Sequence, residues 1–497
     1  NVDSIIPEIT SVTAKNISHL AADINVITTE NLSGIVKYMY RYSNGVLPST
    51  WTEIASTATT IDIPLTNLTE LTPYTIEVKT IDNAGNESAV NQINFTTIKE
   101  IKYKPVISTG LTPIKWNVSN VLETTTDTDP EWFDYPNKKW ANAQTADGSM
   151  WTWIPRYAYR IIYYDKPVIK NVAPADGNIV GYSDNRGLVN ASGTASTSFN
   201  RLNGRVEVVF LGADNFKYLD GGKYVGDVTK TGAENPKNYV VHPAFSAVRR
   251  IGYTKRADGN FGWNEEIPGF WVSKFEMGPE CVSKQHIPSQ RNITDYTRFA
   301  EGRNIASKRG ITGGDSMPMT NTQWGAVAYL AKALGRQPDL NDNSSYITGD
   351  GDYIGNILQS TTGNATGIYD MAGGAYDALS GYIIDRHYEN RNTKYFDVYA
   401  GRSTDRNSNF QANYDKYGDA VYEVANYAVS ELGWDGAATH FPCLTYFFFI
   451  RGGTYKYDNT NNRLIFQMES THVESTSTEV GWRRNFCFET PIAVYAH

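Results

Sequence analysis

The stretch Gly367-Ile368-Tyr369-Asp370-Met371-Ala372-Gly373-Gly374-Ala375-Tyr376-Asp377 decides how the chain is read, together with Arg451-Gly452-Gly453-Thr454-Tyr455 and Gly481-Trp482-Arg483. The first sets glycines, which suit a turn or a close backbone approach, beside aromatics large enough to fill a core. The second ends the run Tyr446-Phe447-Phe448-Phe449-Ile450. The length and composition of that run predict a buried strand, closed by an Arg and two glycines where the chain must turn.

Outward from these anchors, 497 residues imply two or three domains, each able to bury a core. A 40% hydrophobic and 20% charged composition is ordinary for a globular protein, and 33 Tyr, 11 Trp and 41 Gly tilt it toward β structure and turns. With 45 Lys+Arg against 53 Asp+Glu the net charge is −8, and no basic run offsets it, so nucleic acid is not an expected partner. Cys281, Cys443 and Cys487 allow at most one bridge and no disulfide framework. No run of about 20 apolar residues predicts membrane insertion. A chain starting at Asn1 is expected to be a processed product or the C-terminal part of something longer.

From Ile6 to Thr97, short β-rich runs separated by polar turns predict a sandwich. Ile35 to Tyr42 alternates, and Tyr74, Ile76, Val78 and Thr80 share one face of a strand that runs into the turn Asp82-Asn83-Ala84-Gly85-Asn86. Lys99 to Lys104 reads as a basic connector, and Pro105 to Trp140 as irregular. The carboxylates Asp127, Asp129, Glu131 and Asp134 there have the chemistry of metal ligands or a hydrolase's acid pair, and solvated loop residues are the expected reading. Trp151 to Ile161 alternates as one strand. Thr320 to Gly335 predicts a helix with a Thr cap, an apolar face of Trp324, Val327, Ala328, Ala331 and Leu334, and Gly335 just past its end. Asp339 to Asp350 lacks the Gly and Glu of an EF-hand. The segment from Tyr382 to Gly418 reads as a long insertion, and Gly418-Asp419-Ala420 as the lead into a short helix. His242, before Pro243, is expected to be a hydrogen-bonded structural residue.

Taken in order, the three anchors resemble the C-type-lectin-like fold of the formylglycine-generating-enzyme (sulfatase-modifying factor) superfamily, whose members read G-L-Y-D-M-x-G-N-V-W-E-W, R-G-G-S-W and G-F-R. Trp151 to Ile161, Arg205 to Leu211, Val241-His242-Pro243-Ala244-Phe245 and Gly269-Phe270-Trp271-Val272-Ser273-Lys274-Phe275-Glu276 are similar to elements of lectin-like tail proteins of phages and prophages from Gram-positive gut bacteria. Leu68, Leu71, Tyr74 and Ala84-Gly85-Asn86 resemble the last half of a fibronectin type III domain. The expected organisation is a multidomain chain: residues 1–98 an all-β fibronectin III-like sandwich, 99–145 a connector, and 146–497 an α+β C-type-lectin-like domain.

What the resemblance implies is recognition without catalysis. The oxidising members of the superfamily carry two cysteines beyond the R-G-G motif, and the matching positions here fall at or near Tyr457 and Asn462, which can neither bind a soft metal nor form a redox pair. No nucleophile elbow, zincin, P-loop or dinucleotide motif occurs either. No cofactor is required. Superfamily members often bind calcium near the first anchor, and with Gly374 where they have Asn, Asp377 is left as the candidate metal ligand. Between the second and third anchors, where retroelement-diversified lectin-like proteins vary, lie Tyr455, Tyr457, Asn459, Asn461, Gln467, Glu469, Thr471, His472 and Glu474, a paratope-like mixture expected to bind a ligand. Leu464-Ile465-Phe466 between them is expected to be buried. The expectation is a host-recognition protein of a phage tail fibre or tip, in the virion or otherwise extracellular. It would engage a cell-surface protein or glycan and assemble as a homo-oligomer, a trimer, for multivalency. The alternatives are a bacterial adhesin or pilus-like protein, and a polysaccharide-degrading tail enzyme.

Overall fold

Two compact units, Asn1–Lys102 and Tyr103–His497, divide the chain in the computed structural model. The structure describes residues 3–97, 104–166, 179–184, 187–192, 201–211, 218–219, 223–224, 239–245, 267–275, 282–284, 305–312, 314–336, 352–373, 376–383, 396–413, 416–425, 429–432, 434–435, 437–452, 465–466, 468–471, 488–489 and 492–496. β-Sheet dominates both units.

In the first unit the strands are β1 (Glu8–Lys15), β2 (Ala22–Thr29), β3 (Ile35–Ser43), β4 (Thr52–Ala55), β5 (Thr60–Leu65), β6 (Pro73–Asp82) and β7 (Asn91–Thr96). They form a three-stranded sheet, β1-β2-β5, and a four-stranded sheet, β4-β3-β6-β7. Strand β6 shows why the alternation is a reliable guide here: Tyr74, Ile76, Val78, Thr80 and Asp82 are all buried, while the residues between them are partly exposed. Against them pack Ile24, Val26, Tyr38, Ile63, Leu65 and Phe95. The Tyr74 hydroxyl accepts a hydrogen bond from the Thr69 amide at 2.9 Å, locking the turn that enters β6. That bond has the form of the tyrosine corner of immunoglobulin-like sandwiches.

Among the described residues the second unit forms three sheets. The first runs, in spatial order, Gly314–Pro318, Ile492–Ala496, Gly269–Ser273, Met150–Pro155, Asn142–Gln144, Thr112–Trp116 and Leu122–Thr124. Residues 104–144, within the expected connector, therefore belong to this unit: they supply three of its strands, and Trp132 and Trp140 lie in its core. Asp129 and Glu131 pair with Lys115, and Asp127 with Lys104, as surface ion pairs rather than a metal set. The second sheet is built on Tyr157–Tyr164, flanked by Ile179–Asp184, Asn203–Phe210 and Val240–Val241. The third runs Asp397–Tyr399, Tyr376–Ile383, Phe448–Arg451, Met468–Thr471, Ala438–His440 and Val429–Leu432, with Phe488–Glu489 beside Tyr376–Ile383.

Three sequence expectations are corrected. Trp151 to Ile161 is not one strand but two, broken at Arg156, one in the first sheet and one in the second, with both faces buried. Arg156 makes the break, because its own amide bonds to Pro268 O at 2.8 Å and its guanidinium to Phe245 O at 2.9 Å, which anchors the chain where it changes sheets. The described part of the expected insertion after Tyr382 contributes to the core: Asp397, Val398, Tyr399 and Phe410 are buried, and Asp397–Tyr399 pairs in parallel with Tyr376–Ile383. Gly418-Asp419-Ala420 leads into turns, not a helix, because Gly418 (φ 81°) and Ala420 (φ 52°) adopt left-handed backbone that a right-handed helix excludes.

The helix Asn321–Ala333 starts as the sequence predicts, with Thr320 and Gln323 forming a capping box. Every residue from Asn321 to Ala331 is buried, however, so this is a helix enclosed on all sides rather than one with a single apolar face. Gly325 permits that enclosure. A Cβ there would stand 2.1 Å from Gly418 O, so no larger residue lets the turn at Gly418 lie on the helix.

Candidate functional site

The strand that leads into the segment proposed to carry the ligand residues and a strand within that segment are held side by side. Phe448–Arg451 pairs antiparallel with Met468–Thr471, Phe448 opposite Thr471 and Arg451 opposite Met468, and on its other edge with Tyr376–Ile383. Arg451 is fully buried and donates from Nη2 to Ala420 O at 2.8 Å. Burial pushes its guanidinium down to about 10, which still leaves it charged at neutral pH. Gly452 follows at φ 79°, where an added Cβ would stand 3.2 Å from Asp377 Oδ2 and 3.3 Å from Trp324 Cη2. Its carbonyl accepts from the Gly373 amide at 2.7 Å, joining the first two anchors of the sequence. On the returning side Ile465 and Phe466 are buried, as their apolar run predicts, and Trp324 Nε1 donates to Ile465 O at 3.0 Å.

Of the proposed ligand residues, Tyr455, Tyr457, Asn459, Asn461, Gln467, His472 and Glu474 lie outside the described residues, as do Gly481-Trp482-Arg483, Cys281, Cys487 and the Asp339 to Asp350 loop. Glu469 and Thr471 fall in the strand Met468–Thr471, opposite Ile450 and Phe448. Asp377 is buried opposite Arg451. Calcium takes six to eight oxygens. Among the described residues Asp377 joins no group of three His, Cys, Asp or Glu side chains.

Beneath the anchors lies a buried polar hub around Glu423, which the sequence reading passed over. Its carboxylate accepts from Tyr159 Oη (2.9 Å), Tyr329 Oη (2.7 Å), the Gly418 amide (2.6 Å) and Ser183 Oγ. Burial pushes its carboxyl up to about 7 against the lowering pull of those hydrogen bonds. The carbonyl of the same residue accepts from Tyr163 Oη (2.7 Å) and Trp434 Nε1 (3.1 Å), and Arg201 donates to Tyr422 O and Ala425 O. The turn refused by the helix is thus satisfied by side chains. Asp419 accepts from Tyr399 Oη at 2.8 Å, and burial raises its carboxyl as well. His242 is fully buried, its Nδ1 accepting from the Ala244 amide and its ring packed on Tyr157 and Tyr159, which is the structural role its place before Pro243 predicts. A carboxylate inside the apolar run Val421-Tyr422-Glu423-Val424-Ala425 was the available signal for the hub.

A second buried charge lies at Lys274. Its Nζ donates to Gly367 O (2.7 Å) and Asn142 Oδ1 (3.1 Å) and sits 4.5 Å from the Trp116 ring centre. Burial drives its amine well below the ordinary lysine range. Glu423, His242, Arg451 and Lys274 are all closed to solvent. Cys443 is a buried free thiol.

No family model matches the chain, and no curated protein matches it. Among solved structures it is similar to an FN3 domain of human collagen XX (20% identity, 19% of this chain and 97% of that one, TM-score 0.15). It is also similar to a redesigned β-sandwich protein (19% identity, 20% and 100%, TM-score 0.17) and to chitinase ChiA74 from Bacillus thuringiensis (15% identity, 38% and 24%, TM-score 0.17). Scores at this level carry no functional argument. Among the described residues no helix is long and apolar enough to cross a membrane.

Proposed function

We propose that the chain is a non-catalytic recognition protein that binds a cell-surface protein or glycan through the segment Tyr455 to Thr478, as the receptor-binding part of a phage tail. In this reading the first unit is a fibronectin III-like spacer and the second a C-type-lectin-like domain that acts as a homotrimer. The observation that supports it is the footing of that segment. Phe448–Arg451 and Met468–Thr471 are paired, Arg451 is buried, and Gly452 O and Ile465 O are each tied to a separate element. A segment footed on paired strands can vary in sequence without loss of the fold beneath it, and a fixed base lowers the ordering cost of binding.

The test is adsorption of the labelled full-length chain to a panel of intact Gram-positive gut bacteria. The variant Tyr457→Ala/Gln467→Ala/His472→Ala should lose adsorption while its unfolding temperature moves by only a few degrees. Undiminished adsorption by the folded variant would remove this segment from the site. Release of reducing sugar from the cell walls by the wild type would favour the enzyme alternative.

A further inference from the structure

At one pole of the first unit three carboxylates converge from separate elements: Asp3 from the segment before β1, Glu30 just after β2, and Asp82 at the end of β6. A ligand oxygen from each lies within 4.8 Å of the others. Backbone donors fix all three. Asp3 Oδ1 accepts from the Ile5 amide (2.9 Å), Glu30 Oε1 from the amides of Leu32 (2.7 Å) and Ser33 (3.1 Å), and Asp82 Oδ1 from those of Ala84 (2.9 Å) and Asn86 (2.8 Å). The Asn86 side chain adds a bond to Asp82 Oδ2 (2.8 Å) and ties Asp3 O (3.3 Å) and Ile5 O (3.2 Å) to it.

The remaining oxygens are what point to a ligand. Asp3 Oδ2 and Glu30 Oε2 each expose less than 1 Å² and have no hydrogen-bond partner. None of the ion pairs among the described residues includes Asp3, Glu30 or Asp82, although Glu53 of β4, Asp62 of β5, Glu77 of β6 and Glu87 beyond it each have a Lys or Arg. Sealed carboxylate oxygens this close repel one another and have given up water for nothing in return. A positive charge at their centre removes both costs.

We propose that Asp3, Glu30 and Asp82 hold a calcium ion at this pole. Carboxylate oxygens select a hard cation. Calcium–oxygen distances of about 2.3–2.6 Å place opposed ligands about 4.6–5.2 Å apart, so one centre can reach all three oxygens, whereas magnesium needs a tighter octahedron. The backbone amides that hold the other oxygens act as outer partners that aim the ligands. Because β2 and β6 belong to different sheets, the ion joins the two layers of the sandwich and pins residues 3–7 to their edge. This site is independent of the recognition reading above.

The test is calorimetric titration of the full-length chain, freed of metal with EDTA, with calcium chloride and separately with magnesium chloride. A site of this charge is expected to bind calcium with Kd on the order of 10⁻⁴–10⁻³ M, and magnesium at least about tenfold more weakly. The variant Asp3→Asn/Glu30→Gln should lose that binding, weakened about 100-fold or more. In EDTA the variant should melt at or above the wild-type temperature, because the repulsion is relieved, and in calcium below it. The proposal is overturned by a wild type that takes up no calcium, by calcium binding that survives in the variant, by magnesium binding as tightly, or by a variant that melts below wild type even in EDTA.

Discussion

The two units differ in how much charge they bury. In the first, ion pairs run across the sheet surface: Lys15 with Asp62, Lys37 with Glu53, Arg41 with Glu77 and Lys79 with Glu87. In the second, Arg156, Lys274, Arg451, Asp419 and Glu423 are buried, and their main hydrogen-bond partners are carbonyls, hydroxyls and amides. A sandwich of two sheets closes by apolar alternation alone. A fold in which three sheets and a helix meet must also satisfy the backbone of the turns it traps, and long polar side chains do that where no strand or helix can. The first arrangement should tolerate the loss of a charge, and the second should not.

The largest expected effect is at Arg451. Arg451→Ala removes the donor to Ala420 O and leaves a cavity under the paired strands, and should destabilise the second unit by about 3–5 kcal/mol. Tryptophan emission during denaturant unfolding measures it, because Trp132, Trp140, Trp151, Trp153, Trp271 and Trp324 are fully buried there, while the first unit has only Trp51. A shift below about 1 kcal/mol would erase the contrast between the units.

Next is Glu423. Its carboxyl is raised from 4.5 to about 7, so the fold prefers the neutral form. The stability this contributes is fully present below pH 4.5 and lost as pH rises through 7, a change of about 3 kcal/mol. The second unit should therefore become less stable as pH rises across that window, after the opposing titration of surface carboxylates is subtracted by comparison with Glu423→Gln. The variant should flatten the slope. An identical pH profile in both proteins would show that the carboxylate is held charged by its four donors.

Glu423 also marks the limit of what the sequence discloses. Strand β6 was legible because one face is wet, so its period of two survives in the residues, and the capping box and glycine end of the long helix are local chemistry. Tyr157–Tyr164 is buried on both faces, and there alternation carries no direction and cannot show that the chain changes sheets at Arg156. The hub depends on Tyr159, Ser183, Tyr329 and Glu423, which lie far apart in sequence, and no spacing rule brings them together. At the other pole of difficulty, Asp82 looked like a turn residue and is one, yet its partners Asp3 and Glu30 come from elements that only folding brings near.

The smallest effect should come from the surface pairs of the first unit. Lys37 and Glu53 meet at 2.9 Å on strands β3 and β4, two residues apart on the diagonal, since Lys37 lies opposite Ala55, with Glu53 about half exposed. Water screens them, and holding two long side chains in one geometry costs entropy, so a double-mutant cycle with Lys37→Ala and Glu53→Ala should give a coupling of only about 0.2–1 kcal/mol. Amide hydrogen exchange along Ile35–Ser43 reports it within the intact chain, since opening of β3 requires the sandwich to separate. Raising the salt to about 1 M shortens the screening length to about 3 Å and should remove most of the coupling, whereas the cost of Arg451→Ala should persist because salt does not enter a closed interior. A coupling above about 2 kcal/mol that survives high salt would mean the surface pair acts like a buried one, and the division between the two units would have to be drawn from packing rather than from charge.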